Sequence, residues 1–290
     1  MGLARRVSAA DPIEQGELAG YWRDGYAIVR GFFNAGEIAE ISASLDQLYA
    51  EGTAHGRCFR HGNLFYNVAQ QDEGEPFVRM VQWPSYHQPL LNRVRLDERF
   101  ANLLEPLIGR NLKQIINQVH WKAPGSLGDF AWHQDSKSRR PATAFRNLGT
   151  SYVQTGLAVD PHIPEAGGLR FIPGSHLRGD LRMDCSTHSL GVAMRNGALE
   201  AVGLSASDAV DVVLEPGDLA VWSPYLVHGS GTNRSDHKRR FYINGYIRAE
   251  DCDRGEWAFR NGVPVPFGPK PALVHYEELH ERPGPHYVAD

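Results

Sequence analysis

Cysteine is scarce. Cys58, Cys185 and Cys252 are odd in number and far apart, which supports neither a disulfide framework nor a cysteine zinc site. Long apolar runs are also missing: no segment approaches the roughly 18 uninterrupted apolar residues of a membrane span. The opening MGLARRVSAADPIEQ lacks the apolar stretch of a secretion signal. There is no excess of positive charge, because 30 Lys and Arg against 34 Asp and Glu leave a net charge of −4. With a pI of about 6.4, no basic field advertises nucleic acid or an anionic membrane as a partner. Repeats, low-complexity tracts and Gly-rich phosphate loops are absent. What remains is an ordinary globular composition, 42% apolar, 10% aromatic and 22% charged. The expectation is a soluble, cytoplasmic protein whose 290 residues make one large domain.

The chain changes character along its length. Leu18 to Arg23 reads as a short helix, Gly25 as a turn and Tyr26 to Arg30 as a strand. After Asn34, a candidate N-cap, Ile38, Ile41, Leu45 and Leu48 recur at helical spacing up to a stop at Gly52. A second helix fits Leu90 to Ile108, ending at Gly109. From Gln114 to about Arg248 the pattern turns to short β-rich runs between Gly and Pro: QIINQVHW, TSYVQTGLAVD, LRFIP, DAVDVVL, DLAVWS and RRFYINGYI. These suggest an antiparallel sandwich or barrel. A Pro-rich tail, residues 251–290 at its widest, is expected to wrap the surface. The expected plan is therefore a single domain over 1–290, with a helical part at 1–112, a β core at about 113–250 and the wrap after it.

FAWHQDSKSR places His133 and Asp135 two residues apart, and in an extended segment such side chains leave the same face and can converge on a metal ion. His-x-Asp alone is a weak signal. A third ligand is available in His228, just before the Gly/Ser/Asn loop of VHGSGTNRSDHKRR. The strand after that loop can be phased: Arg239, Phe241 and Ile243 share one face, and Arg240, Tyr242, Asn244 and Tyr246 the other. The first face is apolar apart from Arg239, so it is read as facing the barrel interior. A buried guanidinium needs an anionic partner, and a carboxylate bound to the metal could supply one.

Four ordered blocks carry a resemblance over nearly the whole chain: YWRDGYAIVRGFF, WHQD, EAGGLRFIPGSH and VHGSGTNRSDHKRR. Together the sequence resembles the phytanoyl-CoA dioxygenase family of iron(II)- and 2-oxoglutarate-dependent oxygenases, which includes ectoine hydroxylase. The resemblance implies a mainly β fold with flanking helices, a double-stranded β-helix (jelly roll, cupin-like) of about eight core strands. It implies His133, Asp135 and His228 as a 2-His-1-carboxylate triad for iron(II), which leaves coordination positions for 2-oxoglutarate and dioxygen. Arg239, eleven positions after His228, would pair with the distal carboxylate of 2-oxoglutarate. Gln118, Ser230 and Thr155 would lie near the same cosubstrate. The activity implied is hydroxylation of an unactivated C–H bond in a small molecule, releasing succinate and carbon dioxide. Because Asp135 is present, and halogenating relatives of this fold carry Gly or Ala there, oxygen insertion is expected over halogenation.

Competing readings stay open at this point. A metal-dependent hydrolase or isomerase on a similar barrel could use the triad as a Lewis acid, and a non-catalytic cupin-like binding module would need no complete triad. Lys137, Arg139, Arg140 and Arg146 supply positive charge at a pocket mouth for a polar or anionic substrate, or form a solvated basic loop. Arg240 is read as a surface ion pair and His176 as a turn hydrogen bond. His120 and His162 line the pocket or are satisfied polar residues. Gly167, Gly168 and Gly174 are read as turn glycines, and Trp132 and Trp222 as walls of the iron site or core. The sequence is silent on oligomeric state and on the prime substrate.

Overall fold

The computed structural model describes residues 15–70, 74–125, 129–183, 197–269 and 282–288. Cys185 and residues 270–281 and 289–290 of the expected C-terminal wrap lie outside them. The chain is mainly β with flanking helices, the jelly-roll class expected from the sequence, and its segments interleave into two compact units.

The first unit gathers Met1–Asn34, Lys122–Arg139 and Tyr152–Phe241. It carries two sheets. In one, β1 (Tyr26–Val29), β10 (Leu219–Trp222) and β7 (Tyr152–Ala158) pair antiparallel, with Tyr26 opposite Trp222 and Trp222 opposite Gln154. All seven residues of β7 are buried, the signature of a strand covered on both faces. In the other sheet the order is β6 (Phe130–His133), β11 (His228–Ser230), β8 (Leu169–Phe171) and β9 (Val210–Asp211). Only Val210–Asp211 of the expected DAVDVVL strand is extended in the ladder, and Leu214 joins it through an isolated bridge to His162. The two sheets meet through aromatic rings: Phe171 lies 5.0 Å from Tyr26 and 5.8 Å from Trp222, centroid to centroid. A separate apolar cluster of Trp132, Ile172, Leu181, Met183, Leu199 and Val227 supports the four-stranded sheet. Full burial of each such side chain contributes about 1.5–3 kcal/mol.

The second unit gathers Ala35–Trp121, Arg140–Ser151 and Tyr242–Asp290. Its strands include β2 (Phe59–His61), β3 (Leu64–Ala69) and β4 (Phe77–Gln82), which lie in the part read as helical from sequence. They pair in order with one another and with β5 (Leu112–Lys122). Their apolar alternation is short and interrupted, and it gains meaning only from the partner strands. The helix over Ala35–His55 runs through Gly52 instead of stopping there. A Cβ at Gly52 would come within 2.5 Å of Val78 and 2.9 Å of Tyr66, so this glycine serves a close helix-to-sheet approach. The single helix expected over 90–108 is two, Pro89–Arg95 and Glu98–Ile108. Asp97 breaks them by accepting the Arg99 main-chain N–H at 3.0 Å, an N-cap for the second.

The strand β12 (Arg239–Arg248) has the expected alternation, but its polar face is not solvated. Tyr242, Asn244 and Tyr246 are buried, with Asn117 donating to Tyr242 Oη (2.7 Å) and to Asn244 Oδ1 (2.8 Å). Arg240 corrects the surface reading outright. It is 4% exposed and held by Asp160 through Nε at 2.8 Å and Nη2 at 2.6 Å.

Candidate active site

His133 ends β6, and Gln134 keeps extended backbone (φ −116°, ψ 135°) before Asp135 opens a short 3-10 turn, Asp135–Ser138. The extended step lets His133 and Asp135 share a face, as the spacing requires. Gln134 points the other way and is fully buried. Its amide donates to the carbonyls of Gly179 (2.9 Å) and Tyr225 (2.6 Å), and its oxygen accepts the Leu181 N–H (2.9 Å). The residue between the two candidate ligands therefore clamps their strand end, a role the sequence reading missed. His228 arrives from β11, directly across the ladder from His133.

The donor atoms of His133, Asp135 and His228 all lie within 4.8 Å of one another. His228 Nε2 is 3.7 Å from Asp135 Oδ2, and His133 Nε2 is 3.9 Å from Oδ1. Each imidazole turns Nδ1 to the main-chain carbonyl two residues before it, Ala131 at 2.8 Å and Leu226 at 2.9 Å. A carbonyl only accepts, so Nδ1 carries the hydrogen and Nε2 keeps the lone pair a metal needs. Burial would raise the Asp135 carboxyl, but His228, His133, Arg139 and the Trp222 N–H together hold it below the usual carboxylate value. The Trp222 indole donates to Asp135 Oδ2 at 2.9 Å, so Trp222 touches the site. Trp132, by contrast, belongs to the apolar cluster.

Arg239 is 2% exposed and its Nη1 lies 3.2 Å from His162 Nδ1, while its buried Nε has no hydrogen-bond partner. Burial pushes the guanidinium down to about 10, against the pull of Asp160, so it stays charged at neutral pH. A second buried cation was missed from sequence: Lys122, 1% exposed, at the end of β5. Its three N–H groups go to Ser230 Oγ (2.8 Å), Gly231 O (2.5 Å) and Gly167 O (3.3 Å). Burial, reinforced by Arg239, lowers the Lys122 ammonium well below its ordinary value. Among the described residues no carboxylate forms an ion pair with Arg239 or Lys122. Gly167 is more than a turn residue: at φ +68°, a Cβ would sit 2.4 Å from Gly231 O.

The remaining expectations scatter. Ser230 lies against Lys122, and Thr155 is fully buried on β7 opposite Val221. Gln118 is on β5 in the second unit, opposite Gln82. Lys137 is bound to Asp180 at 2.6 Å, Arg146 pairs with Asp253 at 2.8 Å and Arg140 is exposed. Only Arg139 of that basic run is buried. It donates to Asp135 O at 3.3 Å and leaves Nη1 without a partner. His176 makes the expected turn hydrogen bond, its carbonyl accepting the Gly179 N–H at 3.1 Å, and its ring Nε2 also meets the Trp22 carbonyl, far along the chain, at 3.1 Å. His120 is buried on β5 in the second unit.

The profile of phytanoyl-CoA dioxygenase (PhyH) matches residues 21–241, about three quarters of the chain and all four motif blocks in part or whole. The chain belongs to the phytanoyl-CoA dioxygenase family. It is thereby a 2-oxoglutarate-dependent non-haem iron dioxygenase, with iron, 2-oxoglutarate and dioxygen as its reaction partners. It is 26% identical over 161 residues to dioxygenase lolE1 of Epichloe uncinata, a match that covers 56% of either chain. It is 25% identical over 236 residues to 2-aminoethylphosphonate dioxygenase of the uncultured bacterium HF130_AEPn_1, covering 80% of this chain and 81% of that one. Its fold is similar to that of EctD from S. alaskensis solved with 2-oxoglutarate and 5-hydroxyectoine: TM-score 0.64, 20% identity, 92% of this chain and 89% of that chain covered. No helix among the described residues is long and apolar enough to cross a membrane.

The donor set suits the family's metal. Two neutral imidazole nitrogens and one carboxylate on one face are ligands for iron(II), whose remaining positions stay available to other molecules. The guanidinium of Arg239, buried without an ion-pair partner among the described residues, suits a carboxylate of the cosubstrate.

Proposed function

We propose that His133, Asp135 and His228 hold iron(II) and that Arg239, with Ser230 steadied by Lys122, binds the distal carboxylate of 2-oxoglutarate. The enzyme then hydroxylates an unactivated C–H bond of a small polar or anionic molecule and releases succinate and carbon dioxide. The observation that carries this reading is the pairing, within one unit, of a clustered His–Asp–His set with a buried guanidinium that has no acidic partner. Thr155 and Gln118 are kept as cosubstrate contacts on resemblance alone. The chain is read as one dioxygenase domain over 1–290, working in the cytoplasm.

Iron, when bound, supplies the redox chemistry that couples dioxygen to decarboxylation of the keto acid. The chain's own residues orient and insulate. The carbonyls of Ala131 and Leu226 fix the two imidazole tautomers, and the Trp222 N–H restrains one carboxylate oxygen of Asp135. Lys122 has no N–H left for the cosubstrate, so it acts by holding the Ser230 hydroxyl, whose own hydrogen then remains to donate. A polar or anionic substrate is supported by the unspent N–H of Arg139 behind Asp135 and by the phosphonate that names one relative. A hydrolase on the same barrel has little use for a buried Arg239 without an ion-pair partner, and a non-catalytic binding module needs no complete His–Asp–His set.

The test is succinate formation from 2-oxoglutarate by purified protein, with and without iron(II) and dioxygen, across amino acids, aminophosphonates and terpenoid acids. Succinate that requires both and rises with a polar or anionic compound is expected. Metal-dependent turnover that needs neither 2-oxoglutarate nor dioxygen would overturn the reading.

A further inference from the structure

His162 stands outside the motif blocks' expected ligands, yet its surroundings leave it one chemical state. Its backbone is pinned by two hydrogen bonds with Leu214, and its ring is fully buried against Phe241, 4.5 Å away. The Leu169 main-chain N–H points at Nε2 from 2.8 Å. A main-chain N–H can only donate, so Nε2 must present its lone pair. Burial, then Arg239 and Lys122, disfavour a charged ring. A neutral ring with a bare Nε2 carries its hydrogen on Nδ1. That hydrogen faces Arg239 Nη1 at 3.2 Å, and a guanidinium has five N–H donors and no acceptor. The contact is therefore two donors meeting head-on. Giving Nδ1 a lone pair as well would require an imidazolate, two protons short of imidazolium, which has no place at neutral pH.

Two buried donors converging without an acceptor mark the place of a group that accepts from both. A carboxylate has two oxygens and about four lone-pair sites, enough for the guanidinium, Nδ1–H and the Ser230 hydroxyl together. Resting on the cosubstrate assignment above, we propose that His162, as the Nδ1–H tautomer, is a further donor to the distal carboxylate of 2-oxoglutarate. It thereby helps select this dicarboxylate over 2-oxo acids that lack the second acid group. It turns the repulsive contact in the free pocket into an attractive one in the filled pocket, and Leu169 holds the ring in the tautomer that does so.

Two near-isosteric variants separate binding from support of the fold. His162→Gln places a carbonyl oxygen where Nε2 was, satisfying Leu169, but has no donor at the Nδ1 position. His162→Asn does the reverse. Calorimetric titration of the manganese(II)-loaded protein without oxygen, using 2-oxoglutarate and 2-oxopentanoate, reads the effect without turnover. His162→Gln should weaken 2-oxoglutarate about tenfold or more, since the lost bond is to a charged group, and leave 2-oxopentanoate unchanged. His162→Asn should keep 2-oxoglutarate within about threefold of wild type while lowering the melting temperature. In parallel, ¹⁵N spectra of the histidine rings in the metal-free protein should show His162 protonated at Nδ1 and bare at Nε2. The opposite tautomer, or a His162→Gln effect equal for both ligands, overturns the proposal while leaving the iron and Arg239 assignments intact. Failure of the wild-type protein to bind 2-oxoglutarate overturns both readings at once.

Discussion

Arg239 and Arg240 are neighbours on one strand with opposite tasks, so a pair of alanine variants should dissociate cosubstrate binding from stability. Arg239 is buried without an acidic partner, so in the free protein its charge opposes folding instead of supporting it. Removing it should leave the melting temperature of the free protein within about 3 °C of wild type, the lost burial of its stem roughly offsetting the relieved charge. With 2-oxoglutarate bound, the same guanidinium would be half of a desolvated ion pair, whose truncation costs roughly 2–5 kcal/mol. At 1.4 kcal/mol per factor of ten, that is a loss of affinity from about 30-fold to a few thousandfold. Arg240 instead holds Asp160 through Nε and Nη2, with both side chains buried or nearly so. Arg240→Ala strands that carboxylate at a cost of about 3–5 kcal/mol. At roughly 2–4 °C per kcal/mol the melting temperature should fall by about 6–20 °C, with little change in cosubstrate affinity for the protein that remains folded. Titration with 2-oxoglutarate and thermal unfolding of both variants, each loaded with manganese(II), measure the two axes. Equal losses of 2-oxoglutarate affinity in the two variants, or a loss of metal affinity in Arg239→Ala as large as its loss of cosubstrate, would refute the reasoning.

His133→Ala and His228→Ala should each abolish activity by weakening iron(II), since each removes one of three protein ligands; wild-type affinity in equilibrium dialysis would sink the assignment. Trp222→Phe keeps the ring but loses the N–H to Asp135, so metal affinity should fall about 10–100-fold, whereas Trp132→Phe should leave it unchanged; metal titration of the two variants distinguishes them. His162 is held neutral by burial first and then by two cations, so its folded-state pKa lies below the roughly 6.5 of the unfolded chain. The unfolded state takes up its proton first as pH falls, so the stability present above about pH 6.5 is lost below it, and thermal unfolding should show a shallower acid decline for His162→Gln. With Asp135 present, turnover in excess chloride under labelled dioxygen should give a product heavier by one labelled oxygen, and mass spectrometry showing a halogenated main product would contradict this.

The sequence by itself determined whatever depends on neighbours along the chain. His133 and Asp135 share a face because extended backbone repeats every two residues, and the same alternation turned Arg239 and Arg240 to opposite sides. The order of four motif blocks was enough to name the family and the class of fold. Only the tertiary structure decided what faces what across strands and turns far apart in sequence. It placed Trp222 on the carboxylate of Asp135, Lys122 on Ser230, and Asp160 on Arg240 instead of Arg239. It also set the tautomer of His162, through a main-chain N–H seven residues on and a guanidinium seventy-seven away. Periodicity states which side of a strand a residue occupies. The partner on that side is chosen by the pairing of strands and the exclusion of water, and no local pattern of residues encodes it.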